Sequence, residues 1–365
     1  MIIPLTLSKY IGKQFILSVS IVLTVMISTI ILFDALELAR KAYLKDVPVE
    51  IILQMTVFKL PTMVQTIIPF AILIGGILGF AKMTRTSELI IARAAGISAW
   101  QFLAPAVIIS FSFGIFIMTV FNPLASTMLS KFEQLEAKYF HGTTSTLSLS
   151  ETGLWLRQKN SDTGGKTVIH SLRVTNQNME LYDVTVFMFS QDDLFIKRVD
   201  ASTAKLEDGY WDIRDAILTE PGTPAYESTD YRLKTNLSKQ HIQESFAAPE
   251  TMSFWELPKF IKTLKESGFS ALRHSLHWHN VLVTPFFLSA MVLIAATFSL
   301  RLPRRGKTGL LMSGGILAGF ILYFFSNIIF AVGLSGSIPV IIAAWTPTCI
   351  SMLIGTALIL HLEDG

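Results

Sequence analysis

Six long apolar blocks run along this chain, and a long polar insert separates the third block from the fourth. The blocks are Phe15–Phe33, Ile52–Phe80, Phe102–Pro123, Asn280–Ser299, Leu310–Val332 and Ile338–Leu360. Each holds about twenty residues or more with few charges, enough for a helix to cross a hydrocarbon core of roughly 30 Å. Because backbone amides find no water in lipid, such segments must be helical. The pattern therefore predicts two groups of three membrane helices joined by a water-exposed insert.

The insert changes the hydrophobic period to two, from about Leu147 to Glu220, as expected for strands with one buried face. The clearest alternating segments are Leu154–Arg157, Thr167–His170, Leu181–Phe189 and Trp211–Ile213, with turn-forming residues between them at 161–165, 191–193 and 208–209. Many short antiparallel strands predict an all-β sandwich or jelly roll. A sheet edge can pair with another sheet, which favours an insert that stacks with a partner domain and passes a ligand along. The alternative is that the insert is a rigid spacer.

The orientation follows from the basic residues, because short cytoplasmic loops carry an excess of Lys and Arg. With the N-terminus inside, the cytoplasmic segments contain Lys9, Lys13, Lys82, Arg85, Arg93, Arg301, Arg304, Arg305 and Lys307. The short loops on the other side contain only Arg40, Lys41 and Lys45. We therefore expect both termini in the cytoplasm and the β-insert outside it. The first block is longer than the apolar core of a cleaved signal peptide, so we expect it to be retained.

The segment Ser253–His279, between the insert and the fourth block, is amphipathic, with apolar residues at helical spacing and basic residues between them. It is either a helix at the membrane surface or a helix packed against the β-domain. The predicted organisation is membrane helices one to three at 1–138, the β-domain at 139–252, and the connector with helices four to six at 253–365.

Composition limits the functional classes. Hydrophobic residues make up 51% of the chain and the net charge of +3 is too small to indicate nucleic-acid binding. The single cysteine, Cys349, excludes an internal disulfide and a cysteine metal site, and we expect it to pack as a small hydrophobe. Gly75 with Gly79, and Gly315 with Gly319, have the four-residue spacing that lets membrane helices approach closely.

Motifs for catalysis or cofactors are weak. Gly165-Lys166-Thr167 and the Gly-Lys-Thr at 306–308 lack the earlier glycine that a phosphate-binding loop needs. His274, His277 and His279 have no Cys or carboxylate beside them, and they precede a membrane span where polar-tipped rings often lie at the interface. No nucleophile–base constellation stands out. We therefore expect no metal, no cofactor and no catalysis by this chain.

The loop between the second and third blocks, Lys82–Trp100, predicts a short helix over about residues 86–96. Thr86 or Ser87 would cap it, Glu88 in its first turn suits the helix dipole, and Gly96 would end it. An apolar helix on the cytoplasmic face either lies on the membrane or docks into a groove of a soluble partner. Because the chain shows no energy source of its own, docking is the preferred interpretation.

Several of these segments together resemble one known family. Tyr10–Lys13, Ser87–Leu89, Ala95–Ile97, Thr152–Arg157 and Pro285–Phe286 resemble the LptF/LptG (YjgP/YjgQ) permeases of the lipopolysaccharide exporter of Gram-negative bacteria, and the LptG branch more than the LptF branch. The resemblance covers essentially the whole chain and includes the three-plus-three layout.

This resemblance implies an inner-membrane permease that forms a heterodimer with an LptF-type subunit around a V-shaped cavity. A dimeric cytoplasmic ATPase, LptB, would drive it through the loop helix, where Glu88 matches the coupling acid, with Leu89 and Arg93 beside it. A single-span partner, LptC, would add a further β-jelly roll. Lipopolysaccharide would enter between the first and fifth spans and pass onto the stacked periplasmic domains.

The resemblance also implies ligand residues. Arg40 and Lys41 match a basic pair that contacts the lipid A headgroup. Lys59 lies near the outer end of the second span, where it either reaches the outer surface or faces a cavity that holds an anionic ligand. An apolar wall for acyl chains could come from aromatic residues of the fifth span, which otherwise serve packing or face lipid: Phe320, Tyr323, Phe324, Phe325 and Phe330.

The chain departs from the family at Asp34, where a basic residue is common, and at Thr62, where a Lys is common. A phosphate near Asp34 would be repelled, so Asp34 is not expected to be a ligand.

The alternative function is a membrane-anchored scaffold whose β-domain binds envelope proteins, although six spans exceed what an anchor needs. An intramembrane enzyme is a third class, and no reactive group in the sequence supports it.

Overall fold

The computed structural model describes residues 5–43, 45, 47–141, 147–150, 153–159, 165–175, 180–191, 194–235, 248–266, 270–300 and 308–364. Thr152 of the segment Thr152–Arg157 and the basic segment 301–307 lie outside this part of the chain. The chain divides into two compact units. The helical unit comprises Met1–Phe140, Glu250–Trp255 and Ser275–Gly365, and the β-unit comprises His141–Pro249 and Glu256–His274.

Six helical segments are long and apolar enough to cross a membrane, as predicted. The helices are α1 Leu5–Tyr43, α2 Val49–Arg85, α3 Glu88–Ala94, α4 Ala99–Phe116, α5 Asn122–Glu136, α6 Leu257–Glu266, α7 Leu272–Ser299, α8 Thr308–Leu334 and α9 Val340–Asp364. A π-helical turn, Ile117–Phe121, joins α4 to α5, so the third span continues as one helical rod. At about 1.5 Å per residue, the 39 residues of α1 extend about 58 Å, well beyond the hydrocarbon core.

Helix α7 lies at the centre of the helical unit. Of the residues in its most apolar 18-residue stretch, 72% are buried. Four other spans contact it through glycines, which allow close approach of the backbones. Gly76 of α2 faces Ala295, and Gly355 of α9 faces Leu293. A Cβ on Gly114 of α4 would lie 2.4 Å from the Cα of Pro285, so only glycine fits at that contact.

Helix α2 separates α1 from α8, and the predicted glycine pairs make both contacts. Gly75 and Gly79 lie against Val19 and Ser18 of α1. On α8, Gly315 faces Ile77 and Gly319 faces Leu73 of α2. The packing role inferred from the four-residue spacing is therefore confirmed. Helices α1 and α8 are much less covered. In the most apolar 18-residue stretch of each helix, only 6% and 11% of the residues, respectively, are buried.

The described strands of the β-unit form one antiparallel sheet in which each strand pairs with the next. They are β1 Leu147–Ser150, β2 Gly153–Lys159, β3 Lys166–Thr175, β4 Glu180–Phe189, β5 Phe195–Glu207, β6 Tyr210–Thr219 and β7 Tyr226–Lys234. The inserted all-β domain is thus confirmed. A jelly roll normally contains Greek-key crossovers, and the described strands follow a simple meander order instead.

Alternate residues of the strands bury one face of the sheet, as the period of two predicted. The core includes Val186, Val199 and Trp211. Helix α6 covers part of this face, because Leu264 is fully buried in the same cluster and Phe260 packs against it. Of the two alternatives for the amphipathic connector, the structure therefore shows the helix packed against the sheet.

Candidate functional site

Helix α3 lies in the loop between the second and third spans, close to the position predicted. It covers Glu88–Ala94, shorter than the expected 86–96. Gly96 has a φ of +81°, and the Ile97 amide donates to the Ala92 carbonyl at 3.1 Å, which is the hydrogen bond of a glycine-terminated helix end. The helix start differs from the expectation, because Thr86 closes the end of α2, where its amide donates to the Lys82 carbonyl.

Glu88 connects α3 to the first span. The Tyr10 hydroxyl on α1 donates to Glu88 Oε1 at 3.0 Å, and the Thr86 hydroxyl donates to the same oxygen at 2.8 Å. Sequence reasoning missed Tyr10 because 78 residues separate it from Glu88. A charged acceptor makes such hydrogen bonds stronger than neutral ones. The carboxylate therefore couples the position of α3 to the N-terminal end of α1.

The two sides of α3 differ in exposure. Leu89 is 2% exposed and belongs to the core of the helical unit, where it anchors the short helix. Ile90 and Ile91 are 46% and 66% exposed. The backbone of Arg93 lies in the last turn of α3, and its side chain is outside the described part. These exposed isoleucines fit both alternatives for the helix, a position on the membrane surface and docking into a protein groove.

The predicted headgroup cations at the end of α1 are on the surface. Arg40 and Lys41 both lie in the last turn of α1, where the helix dipole favours positive charge. Lys41 forms an ion pair with Glu37 at 2.8 Å. Arg40 is exposed and forms no ion pair with any residue that the structure describes. The two neighbours thus differ, since Arg40 presents its charge to solvent and Lys41 shares its charge with a carboxylate.

Lys59 is paired inside the helical unit. Its Nζ lies 2.6 Å from Asp34 Oδ1, and the side chains are 28% and 3% exposed respectively. The Lys59 ammonium also lies 5.4 Å from the centre of the Phe132 ring. Sequence reasoning treated Asp34 as a separate departure, because it follows directly after the apolar block and the partner is 25 residues away. The structure shows instead that Asp34 and Lys59 form one ion pair between α1 and α2.

The aromatic residues of α8 fall into two groups. Phe320 and Phe324 are 53% and 68% exposed and lie one turn apart on the open face. Tyr323 packs edge-on against Phe70 of α2 with ring centres 4.7 Å apart, and Phe320 approaches the same ring at 5.1 Å. Phe320 and Phe324 therefore belong to an apolar surface, whereas Tyr323 turns toward the interior of the unit.

A cavity of about 270 Å³ with a mixed polar and apolar lining lies beside Tyr323, between α2, α7, α8 and α9. Its lining includes Thr62, Gln65, Asn280, Thr284, Ser326 and Asn327. Sequence reasoning missed this cavity, although a signal existed on two of the helices: Thr62 and Gln65 on α2, and Asn280 and Thr284 on α7, are three or four positions apart, which places each pair on one helix face. Thr62, at a position where the family commonly has Lys, is part of this lining.

Three features singled out in the sequence have structural explanations. Lys166 and Thr167 begin strand β3 and do not form a loop before a helix. His274 packs on Phe260 with ring centres 5.0 Å apart, and the described residues contain no group of three metal ligands. Cys349 is exposed on α9, so the expectation that it packs in the interior is wrong. The reason is that α9 lies at the edge of the unit, where an apolar side chain need not be covered.

The similarity of this chain to known proteins covers both the helical unit and the β-unit. The model of the family described as lipopolysaccharide export system permease LptF/LptG matches residues 9–361. The lipopolysaccharide export system permease protein LptG of Escherichia coli (strain K12) is 24% identical over 364 residues, covering 97% of this chain and 98% of that protein. The protein of the same name from Haemophilus influenzae is 22% identical over 357 residues, covering 94% and 95%.

Proposed function

Because this chain belongs to the LptF/LptG family of lipopolysaccharide export permeases, we propose that it is the LptG-type subunit of an exporter that extracts lipopolysaccharide from the inner membrane. The observation that carries this proposal is the match over residues 9–361, which includes the membrane helices and the inserted sheet together. A separate cytoplasmic ATPase supplies the energy, and the glycolipid passes to a periplasmic bridge of β-domains toward the outer membrane.

The proposed orientation places both termini in the cytoplasm and the β-unit in the periplasm. Lys82 and Arg85 in the last turn of α2 support it, because basic residues accumulate on the cytoplasmic side. The same orientation puts α3 in the cytoplasm and the Arg40–Lys41 end of α1 at the outer leaflet. The domain limits proposed from the sequence are 1–138, 139–252 and 253–365, whereas the connector at Glu256–His274 belongs to the β-unit.

The ATPase, an LptB-type dimer, docks on α3 in this proposal. Ile90 and Ile91 provide exposed apolar contact, and Leu89 holds the helix to the core so that a push on α3 reaches the spans. Glu88 contributes the coupling carboxylate, and its hydrogen bond to Tyr10 gives a direct route to α1. Arg93 in the last turn completes the coupling residues.

The glycolipid site combines cations at the outer end of α1 with the apolar face of α8. Lipid A carries phosphates on a sugar core with several acyl chains, so it needs positive charge at the rim and an apolar wall below. Arg40 is the strongest headgroup candidate, because it is exposed and its guanidinium suits phosphate geometry. Lys41 contributes after releasing Glu37, and Lys59 remains a ligand only if the phosphate displaces Asp34.

The exposed face of α8, including Phe320 and Phe324, supports the acyl wall, with Tyr323 beside it. In this proposal the LptF-type subunit assembles against this surface and the open face of α1, where few residues are buried within the chain itself. LptC would join at the lipid path and extend the periplasmic bridge.

Replacement of Glu88 by Lys tests the coupling part of this proposal. We expect the variant to fold and to join the permease subunit, and to lose ATP-driven transfer of lipopolysaccharide, because a Lys ammonium cannot accept the hydrogen bond from Tyr10 and reverses the charge at the coupling position. Glu50→Lys, a charge reversal at the exposed opposite end of α2, is the matched control. Transfer by Glu88→Lys at the wild-type rate, with normal binding of the ATPase, would refute the coupling role.

A further inference from the structure

Exposed basic residues flank the contact between α1 and α2 at the end nearest α3. The two helices touch where Gly79 meets Ser18, and one turn further along α2 the Lys82 ammonium lies 3.5 Å from Gln14 Oε1. Each helix presents two exposed cations about one turn apart at this end, and we call the four together the basic seam: Lys9 and Lys13 on α1, and Lys82 and Arg85 on α2.

The charge of the basic seam is not neutralised within these helices. None of its four cations forms an ion pair with a residue that the structure describes. Among the described residues of α1, α2 and α3, Glu88 is the one carboxylate at this end, and it already accepts hydrogen bonds from Tyr10 and Thr86. Like charges one turn apart on a helix repel each other. An anion beside the seam would relieve this repulsion.

Apolar side chains continue the same helix faces toward the middle of each span. On α1, Ile16 and Leu17 follow Lys13 by three and four residues, and each is 50% exposed. On α2, Leu78 precedes Lys82 by four residues and is 43% exposed. Because residues at this spacing share a helix face, each cation lies at the rim of an exposed apolar surface. Cations beside apolar surface suit a lipid, whose phosphate meets the charge while its acyl chains lie along the helices.

We propose that the basic seam binds the phosphate of an anionic phospholipid, with Lys13 and Lys82 contacting it from the two helices. Basic pockets between membrane helices on the cytoplasmic side bind cardiolipin and similar headgroups. The choice of the cytoplasmic leaflet rests on the proposed orientation, whereas the binding itself does not rest on lipopolysaccharide transport. The seam is at the opposite end of α1 from Arg40–Lys41 and is therefore separate from the proposed glycolipid site. A bound phosphate would tie α1 to α2 beside the Tyr10–Glu88 hydrogen bond.

Lys13→Gln and Lys82→Gln test this site, because each removes one cation of the seam. Lys265→Gln, at an exposed lysine of α6, is the matched control. The full assembly of each variant is incubated with cardiolipin or with zwitterionic phosphatidylethanolamine, and retained lipid is measured by native mass spectrometry. We expect each seam variant to retain about fivefold less cardiolipin, the effect of losing one basic residue beside an anionic headgroup. Retention of phosphatidylethanolamine, and of both lipids by the control, should stay as in wild type.

The contrary outcomes are distinct. Equal cardiolipin retention by the seam variants and the control would overturn the site. An equal loss of phosphatidylethanolamine would also overturn it, because it would show general loss of lipid without recognition of charge. If the seam variants lose the ATPase and keep cardiolipin, the cations belong to a protein interface and the lipid assignment is wrong. If Lys82→Gln fails to assemble, Lys13→Gln decides, because the exposed Lys13 side chain forms no hydrogen bond within the described part of the chain.

ATP-driven transfer of lipopolysaccharide, measured on the same preparations, separates this inference from the proposed function. Transfer by the wild-type assembly without a selective loss of cardiolipin in the variants overturns the seam and leaves the transport proposal standing. A selective loss of cardiolipin without transfer by the wild-type assembly supports the seam and contradicts the transport proposal.

Discussion

The Asp34–Lys59 ion pair gives the sharpest quantitative prediction. Lys59→Met keeps the length of the side chain and removes its charge. The carboxylate of Asp34 would then remain 3% exposed, with neither oxygen paired to a cation, and its Oδ2 already has no hydrogen-bond partner within the described residues. We expect Lys59→Met to destabilise the helical unit strongly.

The magnitude follows from the burial of the pair. Removing one partner of a buried ion pair costs about 3–5 kcal/mol, whereas replacing both by apolar residues is often neutral or stabilising. Because the Lys59 side chain is 28% exposed, solvent screens it and the lower end of that range, about 3 kcal/mol, applies. The double variant Asp34→Leu/Lys59→Met should recover stability to within about 1 kcal/mol of wild type.

The assay is denaturant titration of the purified assembly, with the single and double variants compared in a double-mutant cycle. If Lys59→Met matches wild type, or if the double variant is no more stable than the single, the pair does not contribute as the structure indicates. Binding of lipopolysaccharide to the double variant separates the two roles of Lys59. Retained stability with lost binding would restore Lys59 as a headgroup ligand, and unchanged binding would limit it to a structural role.

Two further predictions concern contacts of α1. Tyr10→Phe removes the hydroxyl that donates to Glu88 at 3.0 Å, so we expect the ATPase to bind as before while lipopolysaccharide transfer per ATP hydrolysed falls severalfold. Tyr43→Phe, at an 87% exposed site on the same helix, should change neither quantity, and equal coupling in both variants would contradict the link. Gly75→Ala places a Cβ 2.6 Å from an α-carbon of α1, so overpacking should cost about 1–3 kcal/mol in the same denaturant titration. Gly309→Ala, where nothing lies within 4 Å, should cost much less, and equal loss in both would argue against the glycine contact.

The membrane spans could be predicted from the sequence because lipid imposes a simple rule on long apolar segments. Their ends could not, since hydropathy falls at the first charge while the helix continues. The first block ends at Phe33, yet α1 continues to Tyr43 and includes Asp34 and Arg40. The charges there are stabilised by a partner on another helix or by solvent, and neither is visible in a local pattern.

The candidate site shows the same division between local and distant information. The end of α3 at Gly96 could be predicted from one residue type, because a left-handed φ favours glycine. The Tyr10–Glu88 bond and the Asp34–Lys59 pair depend on distant segments that meet only in the fold. The cavity is intermediate, since the helical spacing on α2 and α7 is local and the assembly of the cavity from four helices is not.

The central claim is that this chain moves a glycolipid with energy from another protein's ATP hydrolysis. Purification of the tagged full-length chain from its native membrane, with mass spectrometry of the bound lipid and protein, tests it most directly. The account predicts lipopolysaccharide together with a cytoplasmic ATPase and a second permease subunit. Recovery of envelope proteins without glycolipid or ATPase would contradict it and would favour the scaffold alternative.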